Sequence, residues 1–175
     1  ARKGNIHEIL PTWPKYERYA ADTTLEGMAK PYSYTVRDGK KIGEHNGAHF
    51  YTIGQRKGLG IGGRKESLFI IGTDVESNTI YVGEGDSHPG LYRKALRIEN
   101  SEVHWVEPCE ALEVGKERRL KVRIRYRQPL EDATLIQHDD ALYILFDRPQ
   151  RGIAGGQFAA WYEGERLIGS GVIKY

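Results

Sequence analysis

Short segments in which apolar and polar residues alternate recur through the second half of this 175-residue chain. Successive side chains of a strand point to opposite faces, so this alternation is typical of a half-buried strand, whereas an amphipathic helix needs a period near 3.6. The segments are separated by turn residues, and no clear helical period lies among them. The pattern predicts a small antiparallel β-barrel over residues 89–175, with strands near 91–98, 118–127, 133–137, 142–146, 158–162 and 167–173.

The first half of the chain carries fewer signals of this kind. Asp38-Gly39 predicts a hairpin turn, residues 49–53 predict a strand, and residues 68–73 and 79–82 predict a strand pair. Residues 1–33 predict an irregular linker with one helical turn, which Thr23 or Thr24 would cap. We therefore expect a mainly β chain that consists of a linker (1–33), a small central β-rich domain (34–88) and the barrel (89–175).

Composition excludes several classes of protein. Cys109 is the single cysteine, so no internal disulfide can form, and this favours a reducing compartment. No apolar run is long enough to span a bilayer, and no secretory leader pattern is present. The net charge of +2, from 26 basic and 24 acidic residues, does not by itself indicate a polyanionic partner. We expect a cytoplasmic chain that does not interact with membranes.

The distribution of charged residues along the chain is more informative than the net charge. On the strand predicted at 118–127, alternation places Leu120, Val122, Ile124 and Tyr126 on the core face and Lys121, Arg123, Arg125 and Arg127 on the outer face. Four like charges at this spacing repel one another, so an anionic partner such as a phosphate backbone would stabilise them. The alternative is a solvated face that cross-strand acids such as Glu131 and Asp132 neutralise in part.

A basic, glycine-rich loop lies between residues 54 and 65. Its Gly58-x-Gly60-x-x-Gly63 spacing matches a dinucleotide fingerprint, but the residues that follow predict a strand where that fingerprint needs a helix. Gln55, Arg56 and Lys57 could instead bring backbone amides and cations to an RNA phosphate. The alternative is a connector whose glycines only serve turns.

The chain shows no arrangement typical of a catalytic or metal site. Glu44, His45 and His49 lie close in sequence, but spacing places no further ligand beside them, which favours solvated or hydrogen-bonded histidines. Cys109 has no nearby basic partner that would activate its thiol. On residue chemistry alone, the chain is predicted to be a binding module.

Several motifs resemble one known family. Residues 49–63, HFYTIGQRKGLGIGG, resemble the signature of the central domain of tRNA-specific 2-thiouridylases, whose older name is tRNA (5-methylaminomethyl-2-thiouridylate)-methyltransferase. Residues 122–128 (VRIRYRQ), Gly156-Gln157 and residues 167–173 (LIGSGVI) follow in the family's order. The resemblance covers about residues 30–175.

The resemblance implies an enzyme that replaces the 2-oxygen of the wobble uridine of tRNA with sulfur. In the family, an N-terminal domain adenylates that oxygen with ATP and then transfers sulfur from a cysteine persulfide, which a sulfur-carrier protein or a cysteine desulfurase would supply. A central domain and a C-terminal barrel similar to domain 2 of elongation factor Tu hold the tRNA. This sequence has neither the phosphate loop nor the two cysteines, so we expect a segment without catalytic residues or cofactors, inactive alone.

The resemblance also implies where the RNA contacts lie. In the barrel they fall on Arg125, Tyr126 and Gln157, so Tyr126 would turn outward instead of entering the core. The charge pattern of the strand adds Arg123 and Arg127 as candidates. The family usually has Pro-Gly-Gln where this chain has Gly155-Gly156-Gln157. Gln55, Arg56 and Lys57 are the corresponding candidates in the central domain. The alternative function is a stand-alone barrel that docks a protein such as a sulfur carrier.

Overall fold

The computed structural model describes residues 2–56 and 59–175. These described residues form two compact units, one within residues 1–22 and 32–92 and the other within residues 23–31 and 93–175. No helix in these described ranges is long and apolar enough to cross a bilayer. The helices are α1 (Lys15–Ala21) and α2 (Leu25–Ala29), and the strands are β1 (Gly4–Glu8), β2 (Lys40–His45), β3 (Leu68–Asp74), β4 (Thr79–Glu84), β5 (Tyr92–Glu99), β6 (Val103–Trp105), β7 (Glu117–Arg123), β8 (Glu131–Gln137), β9 (Ala141–Arg151), β10 (Phe158–Glu163) and β11 (Arg166–Val172).

The first unit is built on a four-stranded sheet in the order β2-β1-β4-β3, in which β1 and β4 run parallel. Strands β3 and β4 are apolar on both faces. Ile70 and Ile80 pack with one buried cluster, whereas Phe69 and Tyr81 pack with a second, aromatic one. This is why β3 and β4 read as continuous apolar runs, as expected for a sheet that is covered on both sides. The predicted strand pair over 68–73 and 79–82 is confirmed.

The expectation of an irregular segment over residues 1–33 is wrong. β1 pairs with β2 and β4, and α1 begins directly after Pro14, whose fixed φ suits a helix start. The single predicted helical turn is confirmed as α2. Thr24 caps it, because its hydroxyl accepts a hydrogen bond from the Gly27 N–H at 3.0 Å.

The hairpin predicted at Asp38-Gly39 is also wrong. The Asp38 carboxylate accepts a hydrogen bond from the Thr35 N–H at 2.7 Å and so forms a helical turn over Val36–Asp38, and β2 then pairs with β1. Gly39 has an extended backbone, and a side chain there would collide with the carbonyl oxygen of Glu8. Close approach of β1, not a left-handed turn, therefore requires this glycine. The strand predicted over 49–53 is absent: Ala48–Phe50 form a 3-10 helix and 51–53 are not in a strand.

The second unit confirms the predicted barrel architecture. Seven strands form one curled antiparallel sheet in the order β5-β9-β8-β7-β10-β11-β6. Just after β11, the Lys174 N–H donates to the Arg97 carbonyl of β5 at 2.8 Å, so opposite parts of the sheet meet. The interior holds Val122, Phe146 and Trp161, each with no exposed surface. The predicted strands correspond to β5 and β7–β11, but β7 ends at Arg123, four residues earlier than expected.

Candidate nucleic-acid interface

A short turn follows β7, and side chains hold its shape. The Oε1 atom of Gln128 accepts a hydrogen bond from the Ile124 N–H at 2.8 Å, and the Nε2 atom donates to Oε1 of buried Gln150 at 2.8 Å. We define residues 123–127 as the arginine turn. Gln150 lies 22 residues from Gln128, so no local sequence signal predicted their contact.

The cations of the arginine turn are held without carboxylates. Arg123 donates to the Tyr162 hydroxyl at 3.0 Å and lies over that ring, 4.8 Å from its centroid. Arg125 donates to the carbonyl oxygens of Arg151 and Gly152 at 2.7 and 3.3 Å. Within the described ranges, no carboxylate lies within 4.0 Å of the guanidinium of Arg123, Arg125 or Arg127. These groups therefore keep their positive charge uncompensated.

The electrostatic surroundings of Arg125 disfavour its own charge. Burial lowers the pKa of the Arg125 guanidinium, and the positive charge of Arg151 lowers this pKa further. An arginine nevertheless remains protonated in proteins, so the repulsion persists at neutral pH. A bound anion would relieve it.

The cations in the body of β7 form ion pairs with described residues, unlike those of the turn. This difference corrects the prediction of four free charges in a row. Lys121 contacts Asp132 at 2.6 Å, and the acid that neutralises it lies on the neighbouring strand β8. Arg119 makes two hydrogen bonds to Asp147, at 2.6 and 2.7 Å. Arg125 and Arg127 lie beyond the end of the strand. The alternative of cross-strand neutralisation therefore describes Lys121 in the strand body, whereas the members of the predicted row that lack an ion pair with a described residue lie in the turn.

Tyr126 and Gln157 are both open to solvent. Tyr126 is 89% exposed, so its core placement from simple alternation is wrong and its outward orientation is confirmed. Gln157 lies directly before β10, and its side chain makes no hydrogen bond to the described residues. Because β10 pairs with β7 through Ala160 and Arg123, both candidates lie at the same end of this strand pair.

The candidates of the glycine-rich loop belong to the first unit. Gln55 accepts a hydrogen bond from the Ile70 N–H at 2.8 Å through its backbone oxygen, whereas Arg56 is exposed and lines a cavity of about 670 Å³ together with residues 59–68. Lys57 lies outside the described residues. The loop leads into β3, which confirms that a strand follows the glycine spacing in place of a helix.

The histidine cluster is explained by hydrogen bonding. The Nδ1 atom of His45 accepts a hydrogen bond from the Gly47 N–H at 2.8 Å, and its Nε2 atom lies 2.8 Å from the Asn78 carbonyl oxygen. Both ring nitrogens are occupied, so the prediction of a hydrogen-bonded histidine is confirmed for His45. His49 packs on Phe50 with ring centroids 4.0 Å apart.

Comparison of the sequence with known proteins shows the family of this chain. Residues 28–84 match the tRNA methyl transferase PRC-barrel domain, and residues 94–173 match the aminomethyltransferase beta-barrel domain. The chain is 53% identical over 150 residues to the tRNA-specific 2-thiouridylase MnmA of Christiangramia forsetii and 52% identical over 178 residues to that of Flavobacterium johnsoniae. The chain belongs to the tRNA-specific 2-thiouridylase family.

The match covers most of this chain but a smaller part of its relatives. It includes 86% and 99% of the chain in the two alignments, but only 38% and 45% of the two relatives. The relative from Karelsulcia muelleri shows the same relation, with 44% identity over 84% of the chain and 38% of that protein. The chain thus spans less than half the length of these 2-thiouridylases.

Proposed function

We propose that this chain is the tRNA-binding part of an enzyme that 2-thiolates the wobble uridine of tRNA. The arginine turn and Gln157 bind the RNA, and residues outside this sequence carry out ATP-dependent adenylation and sulfur transfer. The observation that carries the proposal is the uncompensated charge of Arg123, Arg125 and Arg127. Family membership supports it, because the names of the relatives state a specificity for tRNA.

The chemistry of the turn suits an RNA backbone. Guanidinium groups bind phosphate oxygens through paired N–H donors, and such contacts supply much of the affinity for a nucleic acid. The carbonyls of Arg151 and Gly152 fix one edge of Arg125, which reduces the entropy lost on binding. A phosphate bound beside it would also relieve the repulsion from Arg151.

We infer that the glycine-rich loop of this chain does not bind ATP. A phosphate-binding loop of the nucleotide type ends at the N-terminus of a helix, whose amides face the phosphates. Here the loop leads into β3. Accordingly, we assign no nucleotide step to these residues, and we expect the chain alone to bind tRNA without thiolating it.

A matched pair of double variants tests the proposal. Arg125→Ala with Arg127→Ala removes two charges from the turn, and Arg119→Ala with Lys121→Ala removes two from the strand body. Binding of a tRNA transcript with a wobble uridine should weaken about tenfold or more in the turn variant, with the slope of log K against log salt reduced by about 2, because each lost phosphate contact removes about 1.

The strand-body variant has the same net charge, so it controls for overall electrostatics. It should retain affinity within about threefold, because its cations are already paired with acids. Equal losses in the two variants would show that only total charge matters and would remove the turn from the proposal. Failure of the wild-type chain to bind tRNA would reject the function as a whole and favour a barrel that docks a protein.

A further inference from the structure

An aromatic side chain that sequence motifs did not single out lies beside the proposed RNA contacts. Phe158, the first residue of β10, is 65% exposed although phenylalanine usually packs inside a protein. A lone exposed apolar residue is common and needs no explanation. The position of Phe158 beside uncompensated cations is what distinguishes it.

The register of the barrel fixes this position. Ala160 pairs with Arg123, so Phe158 lies two residues before that pair on β10, and Arg125 lies two residues after it on the other chain segment. Phe158, Ala160 and Tyr162 alternate with buried residues and share the outer face of β10. On this face Arg123 already lies over the ring of Tyr162. Phe158 thus lies on the same outer face as Tyr162, two residues beyond the pair of Ala160 with Arg123 and towards the arginine turn.

A second exposed ring lies on the other side of Gln157. Tyr175 is 83% exposed and packs against the turn at Gly155 and Gly156. A side chain at Gly155 would approach the Tyr175 Cα atom to 2.7 Å, and one at Gly156 would collide with the Tyr175 hydroxyl. The two glycines therefore make room for this ring.

We propose that Phe158 and Tyr175 bind unpaired bases of the tRNA by stacking, while the arginine turn holds the adjoining phosphates. Exposed aromatic rings on a β-sheet stack with bases that are not paired in a helix, and every base offers a face for this contact. Phosphate binding by the neighbouring cations would bring such bases to the two rings. This inference rests on the proposed function and identifies unpaired bases as the part of the tRNA that the barrel contacts.

The test uses variants that keep an apolar side chain but remove the ring. Phe158→Leu and Tyr175→Leu should each weaken binding of the tRNA transcript about tenfold, the order expected for one stacked base. The salt slope should stay at the wild-type value, because stacking releases no counterions. Phe158→Trp should retain wild-type affinity. Leu167→Ala, which alters another exposed apolar residue of the barrel, is the control and should bind as wild type.

Two outcomes separate this inference from the function on which it depends. If the arginine-turn variant weakens binding while Phe158→Leu and Tyr175→Leu bind as wild type, the stacking inference is wrong and the proposed function stands. If the wild-type chain does not bind tRNA, the proposed function fails first. A 12-base-pair RNA duplex and a single strand of the same length complete the test: equal losses on both in the leucine variants would overturn stacking on unpaired bases.

Discussion

The body of β7 and the arginine turn that follows it carry similar residues but differ in electrostatic state. On the strand, Arg118 contacts Glu163 at 2.6 Å and Lys121 contacts Asp132 at 2.6 Å. In the turn, Arg125 contacts only carbonyl oxygens among the described residues, and Arg123 contacts carbonyl, hydroxyl and ring groups. The difference shows that the number of basic residues does not define an anion site. What matters is whether the neighbouring strands bring acids to them.

The largest expected effect comes from breaking the hydrogen bonds that shape the turn. Gln128→Ala leaves the Ile124 N–H and the Oε1 atom of buried Gln150 without their partner, which should cost about 1–3 kcal/mol in free energy of unfolding. The tRNA affinity should also fall, because Arg125 and Tyr126 lose their fixed positions. Urea denaturation and binding of the tRNA transcript measure the two effects.

Gln157→Ala provides the matched control for this change. It is the same substitution, but the Gln157 side chain has no hydrogen bond to the described part of the chain, so stability should change by less than about 0.5 kcal/mol. Its tRNA affinity should fall through loss of a direct contact. Equal stability of the two variants would show that Gln128 does not organise the turn, and the contrast with the strand body would then lose its structural basis.

A smaller effect should follow from making the strand body resemble the turn. Asp132→Asn with Asp147→Asn releases Lys121 and Arg119 from their carboxylates, so both cations become available to phosphate. We expect tRNA affinity to rise several-fold, roughly tenfold at low salt, and the salt slope to steepen by up to about 2. Filter binding over a range of salt concentrations measures both.

The control for this double variant makes the same Asp→Asn change at two aspartates that form no ion pair with a described residue. Asp139→Asn with Asp86→Asn changes the net charge equally, and neither carboxylate forms an ion pair with a described residue. A similar gain in both double variants would mean that the tRNA responds to overall charge alone. In that case the distinction between strand body and turn would have no bearing on binding.

The sequence predicted those parts of the fold that depend on neighbours in the chain. Alternation located β7–β11, and Thr24 with the residues after it located α2, because a strand's faces and a helix cap are local properties. β1 could not be found in this way. It is short and partly polar, and its pairing with β4 joins residues more than 70 positions apart.

The candidate site shows the same division. The family resemblance pointed to Arg125, Tyr126 and Gln157, and alternation pointed to the other arginines. Alternation also extended the strand through Arg127, because nothing local marks its end at Arg123. The end depends on the bond between Gln128 and Gln150, and the neutralised charges depend on acids of other strands. Phe158 had a usable signal: it begins an alternating segment beside Gln157 and falls on the outer face. Exposure and register were needed to connect it with the cations.

The smallest expected effect tests, through pH, whether the pairing in the strand body persists in solution. The hydrogen bonds from Arg119 hold the pKa of the Asp147 carboxyl below its ordinary value of 3.8. A lowered pKa in the folded state means that the pair stabilises the protein above the ordinary pKa and ceases to do so as the pH falls through the folded value. Asp147→Asn should therefore have a lower urea midpoint than wild type at pH 6, and the difference should shrink below about pH 4.

Asp139→Asn, which removes no ion pair within the described residues, should match wild type at both pH values. A difference for Asp147→Asn that does not change between pH 6 and pH 3 would mean that Arg119 is not held by Asp147, and Arg119 would then count with the free cations of the turn.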